Sequence, residues 1–220
     1  MIMLNNIKLK LANPWMPIIF VFCLSFAINP VLPSGGLTIA QSDSEVLLKK
    51  VQTKFNSIED LSADFKQSIS EKLNLKGKIY FKQQDKLRFE MDNVLIISDG
   101  ETSWNYNKKE NKVIILENVE EVNHFSIRKI IYDYPEKCIL SSGVIDGTSV
   151  LTLIPEDSEL NFNSAKLFIN SDDLIFKAVI DDPAAGMIQL DFSNFKINQN
   201  LADSDFSFTP PEGSNIIDLR

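Results

Sequence analysis

The chain is 220 residues long, 44% apolar and 24% charged, with a formal net charge of −8. That acidity argues against a protein that tracks nucleic-acid phosphates or adheres to anionic headgroups by overall charge. A single histidine, His124, and two cysteines, Cys23 and Cys138, argue against the common nucleophile–base pairs and transition-metal sites.

Lys8 and Lys10 precede a mostly apolar run from Met16 to Ile28. The run has the length of a secretory signal core and is too short to span a bilayer comfortably. Cleavage is expected after Ala27, because Ser25-Phe26-Ala27 puts small residues at both recognition positions. Thr38-Ile39-Ala40 is the second choice, and an uncleaved anchor is the alternative reading. Phe22 before Cys23 does not suit a lipidation signal. The expected organisation is a signal peptide over 1–27 and one soluble exported domain over 41–220. The leader holds two lysines and no acid, so the remainder carries −10. Without Cys23, Cys138 has no intramolecular partner and is expected as a small buried apolar residue.

Val46, Leu47, Leu48, Val51, Phe55 and Ile58 recur at helical spacing, and Asp43 or Ser44 can cap the start. One amphipathic helix therefore opens the domain. Strands follow. Leu61, Ala63, Phe65 and Ile69 alternate with polar residues, and so do Leu73, Leu75, Ile79 and Phe81. Leu87, Phe89 and Met91 alternate with Arg88, Glu90 and Asp92. Such a period of two marks a sheet wet on one face. Asp99-Gly100 reads as a hairpin turn between Val94–Ser98 and Thr102–Tyr106, and Lys112–Glu117 is the next strand. From Val119 the spacing of Val122, Phe125, Ile130 and Ile131 turns helical, until Pro135 ends it. Strands resume at Cys138–Asp146, Ser149–Ile154, Ser164–Asn170, Leu174–Asp181 and Gly186–Phe195. Short turns between successive strands imply antiparallel neighbours.

The predicted fold is mainly β, with some α: a strongly curved antiparallel sheet, its concave side closed by the helices. Fifteen Phe residues exceed the Tyr and Trp together, which suits a surface that repacks around disordered chains.

Four segments resemble one family. Ser98–Tyr106 matches an "SDGxTxWxY" hairpin. Phe206–Gly213 matches a closing "FxFTPPxG". Leu61–Gln67 reads as "ØxAxFxQ" and Gly77–Lys82 as "GxØxØK", with Ø apolar. In this order they are similar to the periplasmic outer-membrane lipoprotein carriers (LolA-like). The resemblance implies an incomplete β-barrel whose concave face is covered by helices, and a non-enzymatic periplasmic chaperone that buries the acyl chains of lipoproteins. It would take them from an inner-membrane lipoprotein-releasing transporter to an outer-membrane lipoprotein receptor. A monomer is expected, with no cofactor, no metal and no nucleic-acid partner.

The expected lipid-binding face comprises Ile79, Phe81, Leu87, Phe89, Met91, Trp104, Tyr106, Leu151, Leu153, Met187, Leu190 and Phe192, with Phe125, Ile130 and Ile131 from the roof. A one-residue slip would flip any strand's set. Many family members carry Arg where this chain has Gln83, and that Arg latches the roof to helix carbonyls. Gln83 and Arg88 are therefore the latch candidates. A sensing adaptor on the same fold is the second functional reading. Such adaptors usually carry another domain, and the sequence stops at Arg220 soon after the closing motif, which favours the carrier. An exported lipid hydrolase is third, disfavoured by the lone histidine. His124 reads as a surface or roof residue, and Gly147-Thr148-Ser149, Asp172-Asp173 and Asp181-Asp182 read as turns.

Overall fold

In a computed structural model, residues 42–117, 128–157 and 159–220 are described. The opening helix α1 spans Asp43–Asn56. A capping box starts it, one residue earlier than the sequence suggests. Glu45 N–H donates to Ser42 Oγ at 3.3 Å, and Ser42 N–H donates back to Glu45 Oε2 at 3.2 Å. The reciprocal pair satisfies two amide donors that would otherwise lack partners at the helix start.

Among the described residues, twelve strands make one sheet. They are β1 (Asp60–Ile69), β2 (Lys72–Lys82), β3 (Lys86–Met91), β4 (Val94–Ser98), β5 (Thr102–Asn107), β6 (Lys112–Glu117), β7 (Cys138–Ile145), β8 (Thr148–Pro155), β9 (Ser164–Ile169), β10 (Ile175–Asp182), β11 (Gly186–Ile197) and β12 (Asn215–Asp218). Their spatial order is β12-β6-β5-β4-β3-β2-β1-β11-β10-β9-β8-β7, so the sheet is open, with β12 and β7 at its edges. Each of these pairings is antiparallel except β12 with β6, which is parallel. The hairpin at Asp99-Gly100 forms as expected. Gly100 has φ +101°, and Asp99 Oδ1 accepts from the Glu101 and Thr102 amides. Only glycine adopts that backbone angle readily.

Of the second helical segment, a π-helical turn at Lys129–Asp133 and a 3-10 turn at Pro135–Lys137 are described. Val119, Val122, His124 and Phe125 lie outside the described residues. The short parallel strand β12 was not foreseen. Its four residues follow the closing motif too briefly to show a period.

The sheet register assigns the two faces. Leu61 pairs with Phe81, Ala63 with Ile79, and these continue to Leu87 and Phe89 on β3. On the other side Phe65 pairs with Phe192, Leu190 with Ala178, Ala178 with Leu167 and Leu167 with Leu151. This is the face beneath α1, where Val51, Ile131, Leu151, Leu153 and Leu190 form one buried cluster and Ile58, Leu61, Ile79, Leu87 and Leu174 another. Each such side chain contributes about 1.5–3 kcal/mol when fully buried.

The opposite face carries a second apolar patch, covered by the carboxy-terminal strap. After β11 the chain runs through a 3-10 turn at Asp203–Phe206. Arg88 Nη1 donates to the Asp205 carbonyl at 3.0 Å, and the Tyr106 and Phe208 rings sit 5.5 Å apart. Phe206, Ile97 and Val113 are almost wholly buried.

Candidate functional site: an apolar cavity under a helical roof

Between α1 and the sheet lies a cavity of about 80 Å³. Val51, Phe55 and Ile58 come down from α1 and its end, and Ile130 and Ile131 from the π-helical turn. Leu61, Ile79, Phe81, Leu167, Ala178, Leu190 and Phe192 form the floor. Leu174, Ile175 and Phe195 close one side, and Lys54 and Asp173 stand at the rim. Phe55 packs against Phe81 in a tilted pair, 5.0 Å between ring centroids, so roof and floor touch through aromatic surface.

The roof is tied to itself and, at its ends, to the sheet. Gln52 Nε2 donates to the Ile131 carbonyl at 3.2 Å, and Tyr132 Oη donates to Asn56 Oδ1 at 2.5 Å. These bonds join α1 to the π-helical turn. Towards the sheet, Ser44 Oγ donates to the Leu140 carbonyl at 3.5 Å, a long bond. Gln83 Nε2 donates to the Ile58 carbonyl at 3.1 Å, just past the helix. Between those ends the roof rests on apolar contact, which is non-directional and lets surfaces slide.

Several residues of the expected inward face line this cavity: Ile79, Phe81, Ile130, Ile131, Leu190 and Phe192. Leu151 and Leu153 are buried in one of the two clusters and Leu87 in the other, without lining the cavity, and Phe89 packs against the cluster that holds Leu87, its ring edge-on to Phe65 at 5.4 Å. Met91, opposite Gly77, shares their face.

Three placements differ from expectation. Trp104 and Tyr106 point to the other side. Across the Asp99-Gly100 hairpin Ser98 pairs with Ser103, and Leu87 pairs with Ser98. The inward positions of β5 are therefore Ser103 and Asn105, while Trp104 lies opposite Ile97 and Ile115. Met187 also faces outward and is 48% exposed, because the inward set on β11 is Ile188, Leu190 and Phe192. Its odd number against those even ones was a signal available in the sequence. Arg88 lies on the strap side, bound to Glu90 and to the Asp205 carbonyl, and does not reach the roof.

Sequence reasoning missed Asp60. Only 2% exposed, its carboxylate accepts from Gln199 N–H at 2.8 Å and Leu201 N–H at 3.1 Å, and its carbonyl accepts from Asn198 N–H. It pins the strap where it leaves β11. An acid next to an apolar strand start gives no local hint of that role.

Among the described residues no cluster of three or more His, Cys, Asp or Glu side chains could hold a metal. Burial, with lesser help from Glu156 and Asp157, pushes the Cys138 thiol up to about 11. At neutral pH it is a buried thiol, poorly suited to nucleophilic attack.

An open antiparallel sheet with an apolar hollow roofed by a helix defines a half-barrel binding protein. The comparisons make the family specific. Residues 56–209 match the model of the outer membrane lipoprotein carrier protein LolA, and the chain belongs to that family. An outer-membrane lipoprotein carrier protein of Nitrosomonas europaea is 22% identical over 220 residues, covering 91% of this chain and 98% of its own. An uncharacterized protein of Methanocaldococcus jannaschii is 25% identical over 186 residues, covering 80% of this chain; the match spans 54% of that relative's length. A crystal structure of an uncharacterized conserved protein from Thermus thermophilus shares the fold. Its TM-score is 0.55 at 16% identity, covering 80% of this chain and 99% of the other.

Proposed function

We propose that the protein is a periplasmic carrier that buries lipoprotein acyl chains beneath its α1 roof. It would receive them from an inner-membrane transporter and release them to an outer-membrane receptor. The observation that carries this reading is the apolar cavity whose roof meets the sheet mainly through side-chain packing. Each buried methylene contributes about 0.8 kcal/mol, so a chain of about sixteen carbons resists exposure by roughly 10 kcal/mol. A cargo like that needs a shield to cross water.

The cavity describes a closed form. An apolar cavity of about 150 Å³ accepts one benzene, so one of about 80 Å³ cannot hold a full acyl chain. Uptake therefore requires α1 and the π-helical turn to lift from the floor. Release to a receptor then needs only a differential affinity of about 1–3 kcal/mol.

Depleting the protein and locating lipoproteins by membrane fractionation tests the role. Stranding of lipoproteins on the inner membrane is the expected result. Normal sorting, with altered signalling instead, would favour the adaptor reading.

A further inference from the structure

A second depression, about 430 Å³ in volume, adjoins the cavity and shares Lys54 and Asp173 with it. Its wall is one face of α1, Val46, Lys49, Lys50, Thr53 and Lys54, continued by the C-cap Ser57, at spacings of three or four residues. Three ammonium groups oppose one carboxylate there, a local charge of about +2 in a chain of net −8. None of the three lysines forms an ion pair with a described residue. Thr53 Oγ1 donates to the Lys49 carbonyl and Ser57 Oγ to the Lys54 carbonyl. Those hydroxyls serve the helix, which leaves charge as the groove's means of recognition.

Lys54, in the last turn of α1, complements the helix dipole. That does not account for Lys49 and Lys50, which lie in the middle of the helix, or for the gathering of all three lysines at the rim of an apolar cavity. The helix end contributes only about half a negative charge against any bound anion, so the three lysines outweigh it. Lys54 lines both hollows, and a lysine can lay its stem on apolar surface while its head stays in water.

We propose that this groove is a headgroup site. Its ligand class is an anionic phospholipid, with a tail in the cavity and the phosphodiester against Lys49, Lys50 and Lys54. The inference rests on the acyl-binding reading and adds the charge of the ligand's head. Overall acidity is no obstacle, because charges more than about 8 Å away are largely screened at physiological salt.

The test is calorimetric titration of the purified protein with single-chain phosphatidylglycerol, and with single-chain phosphatidylcholine of the same tail, below their micelle concentrations. Glycerol 3-phosphate is the tailless control. The anionic lipid should bind at least about tenfold more tightly than the zwitterionic one, a lower bound on what two or three lysines near a headgroup provide. The preference should shrink in 0.5 M salt (about a 4 Å screening length) and vanish in Lys49→Glu/Lys50→Glu, whose positions are exposed. Unchanged binding of the zwitterionic lipid by that variant shows it folded. Equal affinity for both lipids, or a preference that survives the double substitution, overturns the headgroup site and leaves the cavity reading standing. Failure of both lipids to bind overturns the cavity reading, and this inference with it. Binding of glycerol 3-phosphate as tight as the lipid would show a free-phosphate site and overturn the proposal.

Discussion

The Gln83 side-chain amide donates to the main-chain carbonyl of Ile58 at 3.1 Å, while the Gln83 amide N–H bonds the neighbouring Glu59 carbonyl at 2.9 Å. A turn after β2 thereby grips the junction between α1 and β1. Lifting the roof moves that junction, so this pair is placed to set how readily the cavity opens.

Gln83→Ala removes one neutral hydrogen bond and should cost about 0.5–1.5 kcal/mol of stability. Uptake of a fluorescent acyl probe should accelerate, since the closed form loses support. Gln83→Arg replaces it with a charge-assisted bond, roughly twice as strong, and should slow release. Stopped-flow fluorescence reads both, and identical rates in all three proteins would remove position 83 from the gate.

Ala178 is buried in the cavity floor. Ala178→Leu should fill the hollow, raise the unfolding midpoint by burying added carbons, and weaken probe binding. Its gain is at most about 2.4 kcal/mol, from three carbons at about 0.8 kcal/mol each. Trp104→Ala should behave the other way, losing stability while probe affinity holds, because Trp104 lies on the strap face. Paired thermal melts and probe titrations distinguish them; loss of binding in Trp104→Ala would place the ligand on the wrong side of the sheet.

Asp60→Asn keeps the shape but turns one acceptor towards the strap into a donor. The Gln199 or Leu201 amide then loses its partner, at a cost of about 1–3 kcal/mol. The strap should become the first site of limited proteolysis. A cleavage pattern unchanged from the parent would show that Asp60 does not anchor it.

Asp203 receives hydrogen bonds from Lys82 at 2.6 Å and Lys86 at 3.1 Å, and these hold its carboxyl below the ordinary value of 3.8. A folded value below the unfolded one adds stability that is complete above the ordinary value and disappears as pH falls through the lowered one. Strap protection against hydrogen exchange should therefore be flat from neutral pH down to about 5 and decline only in stronger acid. Asp203→Asn should flatten its share of that decline. Because the carboxylate is largely exposed, the effect should be small.

Much of this architecture is legible in the chain. Strict alternation at Leu87, Phe89 and Met91, and the Asp-Gly turn at 99–100, mark a sheet with one dry face. The helical spacing from Val46 to Ile58 marks its roof. Local pattern suffices there because each residue's environment follows from its own period. Trp104 and Tyr106 show where that stops. Their alternation is as regular as that of Ile79 and Phe81, yet they face the other way.

Alternation says which residues share a face, but not which face of the sheet it is. Strand pairing decides that, one cross-strand partner at a time, and a covering strap makes a second apolar face possible. The same holds for Asp60 and for the lysines of α1. The sequence alone determined a largely antiparallel sheet with a helical cover over one apolar face. Only the tertiary structure decided which apolar side chains meet beneath it, and which charged groups stand at its mouth, because those groups come from segments far apart in the chain and meet only once the sheet has assembled.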